Sequence, residues 1–163
     1  MLRKIQQRNV QSASGSFAIV ASRYNARYVD AMLRAAKAEL WRAEVSQIQI
    51  VRVPGAYEIP VVAKSLARRS TLNSPLSAII CLGVILRGET VHAAHIGATV
   101  SRALMEIQLA HEIPVIHEVL LLENEAQARV RCLNPKHNRG AEAAQAALAM
   151  ARVMKRLDGA GAQ

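Results

Sequence analysis

Apolar positions in this chain fall into short runs and helical stripes that alternate from end to end. Residues 17–21 form a run fit for a buried strand, and 26–43 follow with Met32, Leu33, Ala36 and Leu40 at helical spacing. Residues 45–53 alternate, with Val45, Gln47 and Gln49 set against Ile48 and Ile50, and stop at the breaker pair Pro54-Gly55. A helix is predicted over 59–69, where Pro60 is tolerated because it falls in the first turn. The apolar stretch 76–86 suits a parallel strand covered on both faces. Residues 91–112 carry Ile96, Val100, Leu104 and Ile107 down one stripe, 114–122 read as a further strand, and 124–133 and 141–157 as helices.

Four strands alternating with helices predict an α/β fold, a parallel sheet between two helix layers. Ligands of such sheets bind where a strand's carboxyl end opens into a helix. That rule selects the loops 22–25, 54–58, 87–92 and the stretch after Leu121. Residues 1–15 are polar and basic and read as a flexible arm, 16–158 as one domain, and 159–163 as a frayed tail.

With 163 residues and 52% apolar content the chain can bury a full core. Cys81 and Cys132 are too few for a disulfide scaffold or a cysteine-rich zinc fold, and Cys81 lies inside an apolar run. No segment supplies the roughly 18 uninterrupted apolar residues of a spanning helix, and the basic N-terminus lacks the apolar core of a signal peptide. A cytoplasmic protein without membrane contact is the expectation. Twenty-one basic against 12 acidic residues leave +9, which calls for anionic partners or simply keeps the protein in solution. Aromatic content of 3% and the lack of any long run of like charge argue against nucleic acid.

Loop 87–92 reads RGETVH. Gly88 lets backbone approach a ligand, Thr90 can cap the next helix, and free N–H groups at a helix start favour an anion. His92 stands within about one turn of such an anion and could move protons, or it is a surface histidine on a first turn. Glu58 could accept bonds from substrate hydroxyls or favour a helix start as a charge. Tyr24 could stack on a flat heterocycle or be an unliganded loop tyrosine. Arg129, Arg131, Lys136 and Arg139 cluster near Asn138, a candidate helix cap; Arg131 could grip phosphate bidentately, or the four are solvated surface. His92 and His95 share a helix face while His111, His117 and His137 are scattered, and HExxH, CxxC, Walker, GxGxxG and GxSxG patterns are absent, so no metal is expected.

Taken together, SRYN (22–25), VPGAYEIP (53–60), LGVILRGETVH (82–92), EIPVIHEVL (112–120), ENEAQARVR (123–131) and NRGAEAA (138–144) resemble the 6,7-dimethyl-8-ribityllumazine synthases of riboflavin biosynthesis, over about residues 17–157. The resemblance implies a three-layer, flavodoxin-like α/β/α subunit with four parallel strands, assembled in homopentamers with sites between neighbours. It implies a transferase that condenses 5-amino-6-ribitylaminouracil with 3,4-dihydroxy-2-butanone 4-phosphate, with no cofactor and with association with riboflavin synthase.

By position, Tyr24 would stack on the pyrimidine beside Asn25; Ala56, Tyr57 and Glu58 would bind the ribityl chain; and Val84, Ile85 and Leu86 would line the ring site. Gly88, Glu89 and Thr90 would hold phosphate, completed by Arg131 of the adjacent subunit. His92 would transfer protons, with Glu142 its acidic partner. The chain departs from the family where His92-Ala93-Ala94-His95 lacks an aromatic and an acid after the first histidine. It departs again where His117 replaces an aromatic, and where Arg139 and Pro135 replace lysines. These departures motivate the alternative of a weakly catalytic flavin- or lumazine-binding paralogue. The short 131–140 segment leans towards relatives that form hollow cages.

Overall fold

The computed structural model describes residues 15–70 and 75–160. Strands β1 (Ser16–Ser22), β2 (Gln47–Val53), β3 (Leu76–Leu86) and β4 (Val115–Leu122) form one parallel sheet in the order β2-β1-β3-β4. Helices α1 (Ala26–Arg42), α2 (Ile59–Ser70), α3 (His92–His111), α4 (Glu125–Ala128) and α5 (Arg139–Ala160) connect and cover it. The expected three-layer α/β/α, flavodoxin-like architecture is the observed one.

Side chains alternate across each strand, so the sheet divides its apolar residues between two cores. Phe17, Ile19, Ile80 and Leu82 meet Met32 and Leu40 of α1 and Ala144 and Leu148 of α5 on one face. Val20, Ile79, Cys81 and Val119 meet Leu66 of α2 and Val100, Leu104 and Ile107 of α3 on the other. β1 and β3 lie in the middle and are buried on both faces, which is why they read as unbroken apolar runs. β2 and β4 are edges, and β2 stays largely exposed.

Most boundaries fall within two residues of the sequence reading, and three differences have a visible consequence. β2 begins at Gln47 rather than 45, because Glu44 at φ 54° turns the chain after α1. The single helix expected over 124–133 is a short α4, opened by Asn124 accepting from the Gln127 amide, followed by a π-helical turn at Arg129–Leu133. Buried Asn138 explains the break: its amide donates to the Cys132 carbonyl while its Oδ1 accepts from Gly140 N at 2.9 Å, ending one turn and capping α5. Finally, α5 continues through Gly159 and Ala160, into the segment expected as a frayed tail. Residues 1–14 of the expected arm and 161–163 of the tail lie outside the described residues.

Gly140 is required by close approach, since a Cβ there would overlap the Met32 carbonyl of α1. Both cysteines are free and buried. Burial pushes the Cys132 thiol up to about 11 and the Cys81 thiol further still. Among the described residues, no helix is long and apolar enough to cross a membrane.

Candidate active site

The carboxyl ends of β1, β2, β3 and β4 bring the four selected loops to one end of the parallel sheet. Arg23 N donates to Val53 O at 2.8 Å and Tyr24 N to Pro54 O at 3.0 Å, joining the loop after β1 to the one after β2. Asn25 sits in the left-handed region at φ 55°, which asparagine tolerates better than most residues. Its side chain turns away from α1 and donates to Val84 O at 2.8 Å, which ties the same loop to β3. Tyr24 and Tyr57 stand exposed at this edge, while Ala56, Val84 and Ile85 are buried and Leu86 half-buried beneath it.

A 3₁₀ turn, Ala56–Glu58, leads into α2. The Glu58 carboxylate accepts from Gly55 N at 2.8 Å, so one oxygen caps the turn and the other stays available. A Cβ at Gly55 would stand 3.1 Å from the Tyr24 ring, so glycine is what lets that ring lie against the turn.

Beyond β3, Arg87 forks onto Glu123 at 2.9 and 3.0 Å and its amide donates to Leu122 O, linking the ends of β3 and β4. Gly88, Glu89 and Thr90 follow, all exposed, and the space about Gly88 is open. The expected Thr90 cap is displaced by one residue: Val91 occupies the cap position without a side-chain bond, while Thr90 Oγ1 accepts from His92 N at a long 3.4 Å. His92 is the first residue of the 20-residue α3 and is exposed. An anion in this open turn would meet the positive end of the α3 dipole.

The remaining predicted residues gather elsewhere, along β4 and the start of α5. Glu118 points into the α1/α5 side of the sheet, 4% exposed, a position that the alternation of 115–122 does not distinguish from a solvent-facing one. Arg139 bonds it through Nε at 2.7 Å and Nη2 at 3.3 Å, and bonds Glu142 through Nη1 at 2.6 Å. Within one chain Glu142 is therefore the partner of Arg139 rather than of His92, and Arg139 is held between two carboxylates instead of standing free. Burial pushes the Glu118 carboxyl up, against the pull of Arg139. For Arg139 burial acts downward, but its two carboxylates prevail and the net shift is up.

Arg131, on the π-helical turn, is exposed, and among the described residues its guanidinium makes no hydrogen bond. His117 is exposed on the opposite side of β4 from Glu118, where Ser101 of α3 meets its Nε2 at 2.8 Å. Sequence reasoning missed Glu118 and Ser101, and no local pattern marks either.

A model of the 6,7-dimethyl-8-ribityllumazine synthase family matches residues 14–155. The chain belongs to the lumazine synthase family. Proteins of that name include one from Xylella fastidiosa (strain 9a5c), 38% identical over 151 residues, which span 91% of this chain and 96% of that protein. One from Xanthomonas oryzae pv. oryzae (strain PXO99A) is 36% identical with the same coverage. A third, from Stenotrophomonas maltophilia (strain R551-3), is 37% identical over 88% of this chain and 92% of that protein. The lumazine synthase match thus takes in every candidate residue, in both groups.

Proposed function

We propose that this chain is a 6,7-dimethyl-8-ribityllumazine synthase, a cytoplasmic transferase of riboflavin biosynthesis. It joins 5-amino-6-ribitylaminouracil to 3,4-dihydroxy-2-butanone 4-phosphate through an imine, loses phosphate, and closes the second ring with loss of water. The observation that carries this reading is the tying of the 22–25, 54–58 and 84–92 segments to one sheet end by Arg23, Tyr24 and Asn25.

Tyr24 offers the pyrimidine a flat face, Val84, Ile85 and Leu86 line its edge, and Asn25 holds the Val84 carbonyl in place. Ala56 and Tyr57 flank the ribityl chain, whose hydroxyls donate to the free oxygen of Glu58. Gly88, Glu89 and Thr90 surround the phosphate at the start of α3. Loss of phosphate concentrates charge on the leaving oxygens, which fixed N–H groups and a cation stabilise in a site shielded from water. Arg131 of a neighbouring protomer supplies that cation; Arg139, committed to Glu118 and Glu142, positions the edge around it. His92 moves protons beside the reacting atoms.

The sharing of one site by two protomers fits the separation of the loop group from the β4 group. It also fits the exposed apolar residues Val91 at the cap of α3, Met105 and Leu109 within that helix, and Leu121 of β4, which call for cover. The assembly is a homopentamer or a particle built from pentamers, and riboflavin synthase, which consumes the product, is a candidate partner.

Incubation of the protein with both substrates is expected to yield the lumazine chromophore and an equal amount of phosphate. A protein that binds lumazine or riboflavin but forms no product overturns the catalytic reading. Light scattering is expected to give a mass that is a multiple of five chains, and a monomer overturns the shared site.

A further inference from the structure

His117 projects from edge strand β4 towards α3, where its Nε2 lies 2.8 Å from the Ser101 hydroxyl. The same hydroxyl lies 2.7 Å from the Gly97 carbonyl, one turn back along α3. A serine hydroxyl has one proton to give and lone pairs to receive with. If that proton pointed at the ring, oxygen lone pairs of Ser101 and Gly97 would face each other at 2.7 Å with nothing between them. With the proton on the Gly97 carbonyl, both contacts are attractive, provided that the ring carries hydrogen on Nε2. In the neutral ring the arrangement fixes the tautomer: Nε2–H donates to Ser101 Oγ, and the lone pair lies on Nδ1. Among the described residues Nδ1 has no hydrogen-bond partner, and the side chain is exposed.

We propose that His117 is a second proton acceptor of the condensation, working through Nδ1 across the shared site on substrate held by the loop group of a neighbouring protomer. This rests on the lumazine synthase reading above and adds to it a group that a carbocyclic aromatic at this position could not supply. Before phosphate leaves, the hydroxyl-bearing carbon, between the imine carbon and the carbon that carries the phosphate, must lose its proton. Nδ1 takes that proton, the C–H electron pair becomes the new C=C bond, and the C–O pair departs with phosphate. The proton then leaves on hydrogen phosphate and the ring is neutral again. Throughout, Ser101 holds Nε2–H, so the imidazole neither rotates nor changes tautomer between steps.

The test uses the full-length protein and three variants, His117→Phe, His117→Gln and Ser101→Ala. Nitrogen-15 NMR of the histidine rings is expected to give the Nε2–H form for the His117 signal, assigned by its loss in His117→Phe, and a tautomer mixture in Ser101→Ala. In steady-state assays His117→Phe, which keeps a ring to stack, is expected to lower kcat on the order of 100-fold, with KM for the pyrimidine within about twofold. His117→Gln is expected to lose kcat similarly, and Ser101→Ala to lose a smaller factor. Wild-type kcat in His117→Phe, or an Nδ1–H tautomer in the wild type, overturns the proposal while leaving the synthase reading intact. A wild-type protein that forms no lumazine overturns both.

Discussion

At the carboxyl end of the sheet the polar ties run mainly through backbone: the Arg23 and Tyr24 amides to Val53 and Pro54, and the Asn25 side chain to the Val84 carbonyl. Along β4 and α5 they run between charged side chains, Arg139 to Glu118 and to Glu142. The difference decides what each region can lose. A loop held by its own backbone tolerates replacement of Tyr24, Thr90 or His92 with its shape intact, so those side chains are free to serve a ligand. A region held by paired charges does not, because removing one partner strands the other.

The largest effect is expected where the charged region is seated. Gly140→Ala drives a Cβ into the Met32 carbonyl and displaces the helix that carries Arg139 and Glu142. A loss of more than about 3 kcal/mol is expected in denaturant unfolding, with activity lost alongside. His92→Ala tests the opposite behaviour of the loop region. It is expected to lower kcat on the order of 100-fold, about 2.7 kcal/mol, while the midpoint of thermal unfolding stays within about 2 °C.

Glu118→Ala comes next, at about 2–3 kcal/mol of stability, since Arg139 is left half-buried with Glu142 alone. Burial raises the Glu118 carboxyl in the folded state, so its ionisation weakens the fold. The group's favourable contribution is complete below the ordinary value of 4.5 and fades as pH rises through the higher folded value. Thermal unfolding should accordingly show the wild type gaining on Glu118→Gln as pH falls from 7 towards 4.5, and a flat difference would show that Arg139 cancels the burial. Arg131→Ala is expected to raise KM for the butanone phosphate about 10- to 100-fold and to leave stability nearly unchanged, the loss of one charge-assisted contact of about 1.5–3 kcal/mol. Arg87→Ala breaks an exposed pair with Glu123 and is expected to cost at most about 1 kcal/mol.

The same contrast marks how far the sequence could be read. The loop region was legible because its parts are local: apolar runs place the strand ends, and SRYN, VPGAYE and RGETVH follow them directly. The central strands were legible for the same reason, burial on both faces leaving no polar residue to interrupt β1 or the core of β3. The β4 region was not, because its ties join residues distant in sequence. Arg139 and Glu118 are 21 apart, and His117 and Ser101 are 16 apart. Alternation along β4 sets Glu118 on one face with Ile116 and Leu120 but does not say that a carboxylate there is covered, and only α5 packed over it turns it into a buried charge. The π-helical turn was hidden likewise, since Asn138 acts back across six residues on Cys132.

The two thiols give this molecule a pair of internal clocks. Cys81 lies in β3 between Val20 and His117, so a thiol reagent reaches it only when the sheet itself comes apart. Cys132 lies in the turn that also carries Arg131, and a local loosening there is enough to bare it. Labelling rates of the two sulfurs, followed side by side by mass spectrometry, would time the breathing of the arginine-bearing turn against the opening of the whole fold. Where phosphate binding steadies that turn, a slowing of Cys132 labelling towards that of Cys81 would report occupancy without any need for turnover.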